Sequence, residues 1–292
     1  MLAVVRGIAS FARARGAASC AVVLLLAITS CGRGQPPGSS PAPTARTPLP
    51  PRPGPDQVYE WSGTVIEAPG REPNLCVGGV MESLPPQCGG LQVRGWTWDG
   101  LPGVESQGGT TWGDAYVRGT YDGDSFTLVA PPEPPRPVGD PPPEVDLRPA
   151  CEDPQAVDPQ ATGWRGVPHE DVPGLAALWV TDPRGGEGPY VVSAIVRPGS
   201  RSEAERVLRS SWRGHLCVVE RDQPLYSHLL QVQERAVPFL RQLGETPWVG
   251  SPDQRRGVVV VTVTVAHAEL QARLDEEFGA GVVELRGVLQ PV

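Results

Sequence analysis

The sequence predicts two domains, a small all-β barrel-like (OB-like) domain followed by an α+β domain of the ferredoxin-like kind. Three observations lead to this prediction. Short runs of β-forming residues without a helical period fill 57–130. A proline-dense segment, 131–149, follows them and reads as a semi-rigid linker or a wrapping loop. Within 150–292 the order strand–helix–strand then occurs twice.

Turn residues separate the β runs of the first domain. The clearest pair, Thr110–Tyr121 and Ser125–Val129, flanks Asp122-Gly123-Asp124, which is a hairpin signal. Three earlier runs also predict strands, and they are Val58–Trp61, Thr64–Ile66 and Leu91–Trp98. About five strands in so short a segment favour a small barrel.

Tryptophan is frequent in this domain. Trp96 and Trp98 are two residues apart, so a strand over Leu91–Trp98 would place both on one face. The aromatic residues can form the core of the domain or an exposed binding face. The core is the favoured interpretation, and Trp96, Trp98 and Trp112 are the candidate binding residues to test.

Strands and helices alternate in the second domain. Its predicted strands are Leu178–Val180, Tyr190–Val196, Leu216–Val219, Val258–Val265 and Val282–Leu289. A helix over 200–212 would start with a Ser200/Glu203 capping box, and Pro238 should bend or split the next one, over 225–243. A third helix begins at an N-capping His267 and ends at Gly279.

The N-terminal 30 residues read as an export signal. Three arginines precede an apolar run, Ala17–Ile28, which is shorter than the about 20 residues that span a bilayer. Ile28-Thr29-Ser30-Cys31 then resembles the lipobox of bacterial lipoproteins. That resemblance implies cleavage of a 1–30 signal peptide and lipidation of Cys31, which would anchor the chain to a membrane. A secreted chain cut elsewhere and an uncut N-terminal anchor are the alternatives.

The segment 31–56 is predicted to be a tether. Pro, Gly, Ser and Thr dominate it and large apolar residues are scarce, so it cannot bury enough surface to fold by itself. A tether of this kind would hold the folded part away from the membrane surface. The predicted location is therefore extracytoplasmic.

Four cysteines remain once Cys20 leaves with the signal and Cys31 carries lipid. These are Cys76, Cys88, Cys151 and Cys217. An even number in an exported chain predicts two disulfides. Three pairings are formally possible, and Cys76–Cys88 with Cys151–Cys217 keeps each bridge within one predicted domain. The alternative, a redox or metal pair, lacks a C-x-x-C spacing.

Charge and composition exclude several functions. Without the first 30 residues, 22 arginines face 33 acidic residues, which disfavours nucleic acids and anionic lipid surfaces as partners. The chain contains no lysine, so it cannot form a Walker-A loop, a Ser-x-x-Lys pair or a Schiff base. No catalytic residue and no cofactor are predicted.

No metal site is predicted either. The four histidines, His169, His215, His228 and His267, lie at no mutual ligand spacing. Polar His169 is the best of them for acid–base or metal chemistry, although a solvated loop explains it. Asp114, Asp122 and Asp124 could gather calcium, but an Asp-Gly turn explains the last two without an ion.

A second resemblance concerns the spacing Leu75-Cys76-Val77-Gly78, Ser83–Gly90 and Gly95–Trp98. It is similar to a pattern in uncharacterised secreted proteins of high-GC Gram-positive bacteria. The resemblance implies secretion, and it brings no known activity with it. The tether, the two predicted disulfide-stapled domains and the missing catalytic motifs favour a non-enzymatic binding or scaffold module with an envelope protein as partner. The alternatives are a hydrolase of envelope polymer that uses carboxylates, and a carrier of a small apolar ligand.

Overall fold

The computed structural model describes residues 48–54, 56–139, 148–181 and 190–292. The predicted signal peptide, Cys31 and most of the predicted tether lie outside these ranges. In the described ranges, no helix combines the length and the apolar character needed to cross a membrane.

The first half of the chain forms a barrel. Its strands are β1 (Val58–Glu67), β2 (Asn74–Leu75), β3 (Val80–Met81), β4 (Gln87–Cys88), β5 (Leu91–Arg94), β6 (Glu105–Gln107), β7 (Thr110–Tyr121) and β8 (Ser125–Leu128). Strands β1, β2, β5, β8 and β7 are hydrogen-bonded in that order, and β7 pairs again with β1 along the whole of β1. The five strands therefore close into a barrel, as predicted.

Alternate residues of β1 and β7 fill the barrel. Tyr59, Trp61 and Val65 of β1 are buried with Ala115 and Val117 of β7, because successive strand residues point to opposite sides of the wall. The two short runs predicted at 58–61 and 64–66 are thus one continuous strand.

One glycine permits a close approach inside the barrel. A Cβ on Gly119 of β7 would lie 2.6 Å from the ring of Phe126 in β8. The neighbouring strand can pack this ring against β7 only because position 119 has no side chain.

The proline-dense segment wraps the barrel where it is described. Glu133 forms a two-way backbone bridge with Tyr116 of β7, at 2.9 Å in each direction. The guanidinium of Arg136 lies 3.7 Å from the centroid of the Tyr116 ring, and its backbone N–H donates to Ser62 Oγ. Residues 131–139 therefore form part of the barrel surface, which agrees with a wrapping loop.

The second half contains two units of the same topology. They use β9 (Leu175–Thr181), β10 (Val191–Val196), α1 (Arg201–Ser211) and β11 (His215–Glu220), then β12 (Pro247–Asp253), β13 (Val258–Val263), α3 (Ala268–Phe278) and β14 (Val283–Gly287). In each unit the central strand pairs antiparallel with the strand before it and parallel with the strand after the helix. The repeated strand–helix–strand order is confirmed.

The two units do not share a sheet. Among the described residues, the strand orders are β11-β10-β9 and β12-β13-β14, each a separate three-stranded sheet. The helix α2 (Tyr226–Gln242) connects them and packs on the second sheet together with α3. A single ferredoxin-like sheet is therefore not confirmed.

The N-terminal ends of α1 and α3 show which of the predicted capping interactions form. The helix α1 begins after Ser200, but the Ser200 side chain makes no capping bond, and Glu203 pairs with Arg206. The predicted capping box is therefore absent, and Glu220 Oε1 accepts the N–H of Arg201 instead. The N-cap prediction for His267 is confirmed, because its side chain accepts from Leu270 N.

Two further helix predictions have different outcomes. The helix α2 continues from Tyr226 to Gln242 with Pro238 inside it, so the proline does not split the helix. The helix α3 ends at Gly279, which is its C-cap with φ +94°, as predicted.

The C-terminus returns to the barrel. The last strand, β15 (Gln290–Pro291), pairs antiparallel with β1 at Glu60 and Tyr59. Leu289 is 1% exposed and belongs to the barrel core. Trp248 of β12 also packs against that core and donates its indole N–H to Thr264 Oγ1. The described residues all belong to one compact unit, so a division into two domains at 131–149 is not confirmed.

The end of the predicted tether docks on this unit. Leu49 packs against the core of the second sheet, and Pro50 O accepts the backbone N–H of Ala268 at the start of α3. Half-buried Glu245 lies nearby. Burial raises the pKa of its carboxyl above the ordinary value, and the charges of His267 and Arg52 oppose that rise.

Glu245→Gln is expected to raise the Tm at neutral pH and to leave it unchanged below about pH 4. A raised carboxyl pKa means that the folded chain holds this proton more tightly than the unfolded chain. The stability it contributes is therefore present below the ordinary pKa and is lost as the pH rises through the raised pKa. Thermal unfolding across the acidic range measures this, with exposed Glu234→Gln of α2 as the control. A Tm difference that stays constant with pH would contradict the prediction.

Candidate functional site

Both disulfides lie in the described part of the chain. They join Cys76 to Cys88 and Cys151 to Cys217, which is the pairing favoured from the sequence. Disulfides persist in oxidising compartments and are rare in the cytoplasm of most organisms. They therefore indicate an extracytoplasmic protein.

The first disulfide closes a small hairpin on the side of the barrel. Residues 76–88 fold back on themselves through β3 and β4, which pair at Val80 with Cys88 and at Met81 with Gln87. We call this segment the Cys76–Cys88 hairpin. Its Gly- and Pro-rich sequence is too short for a core of its own, so the disulfide and the barrel must hold it.

Local contacts fix the hairpin at its base and its tip. Val77 packs against the barrel core, and a Cβ on Gly78 would meet the Trp248 ring at 3.4 Å. At the tip, Ser83 N donates to Met81 O at 2.8 Å and Ser83 Oγ donates to Pro85 O at 3.0 Å. The hairpin is therefore an ordered projection.

Large apolar side chains of this hairpin face solvent. Val80 is 42% exposed, Met81 63% and Leu84 71%. These are three of the ten large hydrophobic residues that are exposed in the described ranges, and they fall within five positions. Single exposed apolar residues need no explanation, but a cluster on a rigid support is typical of an interaction surface.

The charge of the hairpin is low. Glu82 is its only charged residue, and it lies between Met81 and Leu84 in the chain. The exposed surface is thus an apolar tip with one carboxylate. Within residues 76–88, no nucleophile is paired with a base.

The structure brings two of the three candidate tryptophans into contact and places the third apart from them. The strand β5 ends at Arg94, so Trp96 and Trp98 follow it in irregular backbone instead of sharing a strand face. Their rings are in edge-to-face contact at 5.0 Å, and Trp98 Nε1 donates to Glu67 Oε2 at 2.5 Å. Both are half-buried against the barrel core.

Trp112 lies on the other side of the barrel wall. It pairs with Ile66 in the β1–β7 ladder. A Cβ on its neighbour Gly113 would instead point into the barrel and lie 3.6 Å from the ring of Trp98. Because adjacent strand residues face opposite ways, Trp112 cannot form one continuous patch with Trp98. The candidate binding role of Trp96, Trp98 and Trp112 stays a prediction.

The histidines are dispersed. His169 stacks edge-on against Tyr226 at 4.7 Å, the His215 ring lies 3.2 Å from Pro154 O, and His228 is exposed on α2. Within the described ranges, no three His, Cys, Asp or Glu residues are placed to hold a metal ion.

The aspartates considered for calcium have local roles. The carboxylate of Asp122 accepts the backbone N–H groups of Ser125 and Asp124 and the Ser125 hydroxyl. These hydrogen bonds lower the pKa of Asp122 to about 2. Asp114 accepts a hydrogen bond from Thr64 Oγ1 at 2.6 Å. Turn formation thus accounts for Asp122.

Sequence reasoning missed Val80, Met81 and Leu84. One signal could have found them, because apolar residues inside a short disulfide-closed loop have no core to enter. The tryptophans were candidates because of their residue type alone, although large aromatic residues mostly pack in the core.

No family model, no curated protein and no solved structure matches the chain.

Proposed function

We propose that this chain is an exported, lipid-anchored binding module of the bacterial cell envelope, and that it captures a protein partner through the Cys76–Cys88 hairpin. The observation that carries the proposal is the exposure of Val80, Met81 and Leu84 on a disulfide-closed support. Such a support limits the entropy that is lost when the tip binds, so a small apolar contact can contribute affinity.

A protein fits this tip better than a lipid surface does. The hairpin has no arginine, and Glu82 at its tip would be repelled by anionic headgroups. It also lacks the aromatic residues that sit at membrane interfaces. The expected partner therefore offers an apolar pocket for Met81 and Leu84, with a cationic group near Glu82.

The anchor and the hairpin have separate roles in this proposal. Lipid on Cys31 would retain the chain at the membrane, and the tether would give the folded unit freedom to reach a partner. Effective concentration at the membrane would then favour a partner that is itself part of the envelope.

Photo-crosslinking from the hairpin tests the proposal. Full-length chains carrying a benzophenone amino acid at position 81, or at exposed position 118 of β7 as a control, are irradiated in the producing bacterium. One discrete adduct is expected from position 81 and none from position 118. Adding Leu84→Ser should remove the adduct without lowering the Tm, since exposed substitutions change stability by only about 0.5 kcal/mol.

Two outcomes would contradict it. Equal adducts from both positions would show non-specific proximity, and a large loss of Tm in Leu84→Ser would show that the residue is structural. A Cys31→Ser chain tests the anchor in the same cells. It should leave the membrane fraction, and retention there would contradict lipid anchoring.

A further inference from the structure

A second surface, remote in sequence from the hairpin, forms a cleft of about 600 Å³. Its floor is the face of the first sheet that points away from α1, where Trp179 and Ile195 lie. Its walls are the strip 148–152 and the β12–β13 turn. The Cys151–Cys217 disulfide fastens this strip to β11, and Ala150 N donates to Ser193 Oγ at 3.1 Å.

Arginine dominates the lining of this cleft. Four of the described lining residues are arginines, and they are Arg148, Arg221, Arg255 and Arg256. The single acidic residue among them is Glu152. The chain as a whole has a formal charge of −8, so this concentration of positive charge runs against its composition. Arginine is the side chain best suited to bind phosphate and carboxylate groups through paired N–H donors.

Defined contacts hold the strip 148–152 and the β12–β13 turn in place. The Arg255 guanidinium lies 4.3 Å from the centroid of the Trp179 ring, and both residues donate to Arg148 O at 3.2 Å. The turn itself is fixed to the sheet, since Gln254 Oε1 accepts the backbone N–H of Leu178 at 3.0 Å. The cleft is therefore a preorganised feature of the fold.

Arg221 and Arg256 differ in how far their guanidinium groups are already engaged by acidic side chains. Arg256 is held by Glu284 and Asp253, and Glu284 also pairs with Arg286. Arg221 is exposed at the end of β11, and none of the described residues forms an ion pair with its guanidinium. An anion in the cleft would supply the partner that Arg221 lacks within the described ranges.

We infer that the cleft binds a small soluble ligand carrying a phosphate or carboxylate group beside an apolar ring. Arg221 would bind the oxyanion, and the half-buried Trp179, which packs against the buried Ile195, would contact the apolar part. A volume of about 600 Å³ lies within the range of small-molecule sites. The inference is independent of the hairpin and of its protein partner.

NMR titration of the folded chain tests this inference. Phenyl phosphate is the probe, and phenol and inorganic phosphate are its neutral and ring-free controls, all at constant ionic strength. The indole N–H resonance of Trp179, assigned with Trp179→Phe, should shift and saturate with phenyl phosphate. Inorganic phosphate should bind more weakly, and phenol should leave the resonance unchanged.

Variants then separate the site from general surface charge. Arg221→Gln should raise the Kd for phenyl phosphate by about tenfold, since it removes a charge-assisted hydrogen bond. Arg118→Gln on the barrel makes the same charge change and should alter the Kd by less than about twofold. Both variants should keep the parent Tm.

Three results would overturn the inference. Phenol could shift the Trp179 resonance as far as phenyl phosphate does, which would show an apolar pocket only. Arg118→Gln could weaken binding as much as Arg221→Gln, which would show non-specific attraction. Phenyl phosphate could leave the resonance unmoved while Arg221 governs binding to vesicles of phosphatidylcholine and phosphatidylglycerol, which would assign the cleft to a lipid surface.

Discussion

Replacing Cys151 and Cys217 with serine is expected to lower the free energy of unfolding by about 4 kcal/mol. The bridge joins residues 66 positions apart, so the unfolded chain of the variant, which lacks this bridge, gains the freedom of a long loop. A loss of this size is a large part of the total stability of an ordinary domain. Denaturant unfolding of the double variant measures it.

The Cys76→Ser, Cys88→Ser chain is the matched comparison. Its bridge spans only 12 positions, and the same relation gives a loss of about 3 kcal/mol. The order of the two losses is the sharper prediction. A larger loss from the short bridge would mean that native contacts of the Cys76–Cys88 hairpin outweigh chain entropy.

Leu289→Ala is expected to cost about 3 kcal/mol and to destabilise the whole described unit. Leu289 is 1% exposed in the barrel core, yet it follows the last strand of the second sheet. Truncation leaves a cavity that Tyr59, Trp61 and their neighbours cannot fill without moving.

Two fluorotryptophan signals can follow this loss. Trp61 reports on the barrel and Trp212 on the core of the first sheet, and both ¹⁹F resonances should change at the same lowered temperature. Leu208→Ala in α1, which is fully buried in the first-sheet core, should also lower both transitions together. A Leu289→Ala chain that lowers only the Trp61 transition would restore the prediction of two domains.

Features with a local cause could be predicted from residues close together in the chain. The strand β7 has the bounds that its β-forming run predicts, because Asp122 and Gly123 end it with a turn. His267 caps α3 because its side chain is three residues from the N–H that it accepts. The repeated strand–helix–strand order likewise follows from short-range periodicity.

Other local signals were overridden by competing interactions. Ser200 begins α1 without forming the predicted capping box, because Arg206 takes the Glu203 side chain and Glu220 bonds the helix start from β11. The predicted strand over Leu91–Trp98 stops at Arg94, where Gly95 turns the chain with φ +79°. In these cases a competing side chain, from the same helix or from β11, or a single backbone conformation decided the outcome.

The sequence by itself determined the three helices, the long strands such as β7 and β13, and the repeated strand–helix–strand order, and it favoured one of three possible cysteine pairings. The short strands β2, β3, β4, β6 and β15, and the strand β12, were not predicted from it. Only the tertiary structure decided that the barrel closes through β1 and β7, that the two repeated units form separate sheets, and that Leu289 returns to the barrel core. The candidate sites belong to the second group, since the arginine cleft joins residues from 148 to 256. Local patterns encode conformation over a few residues, whereas strand pairing and clefts depend on contacts whose sequence separation leaves no periodic signal.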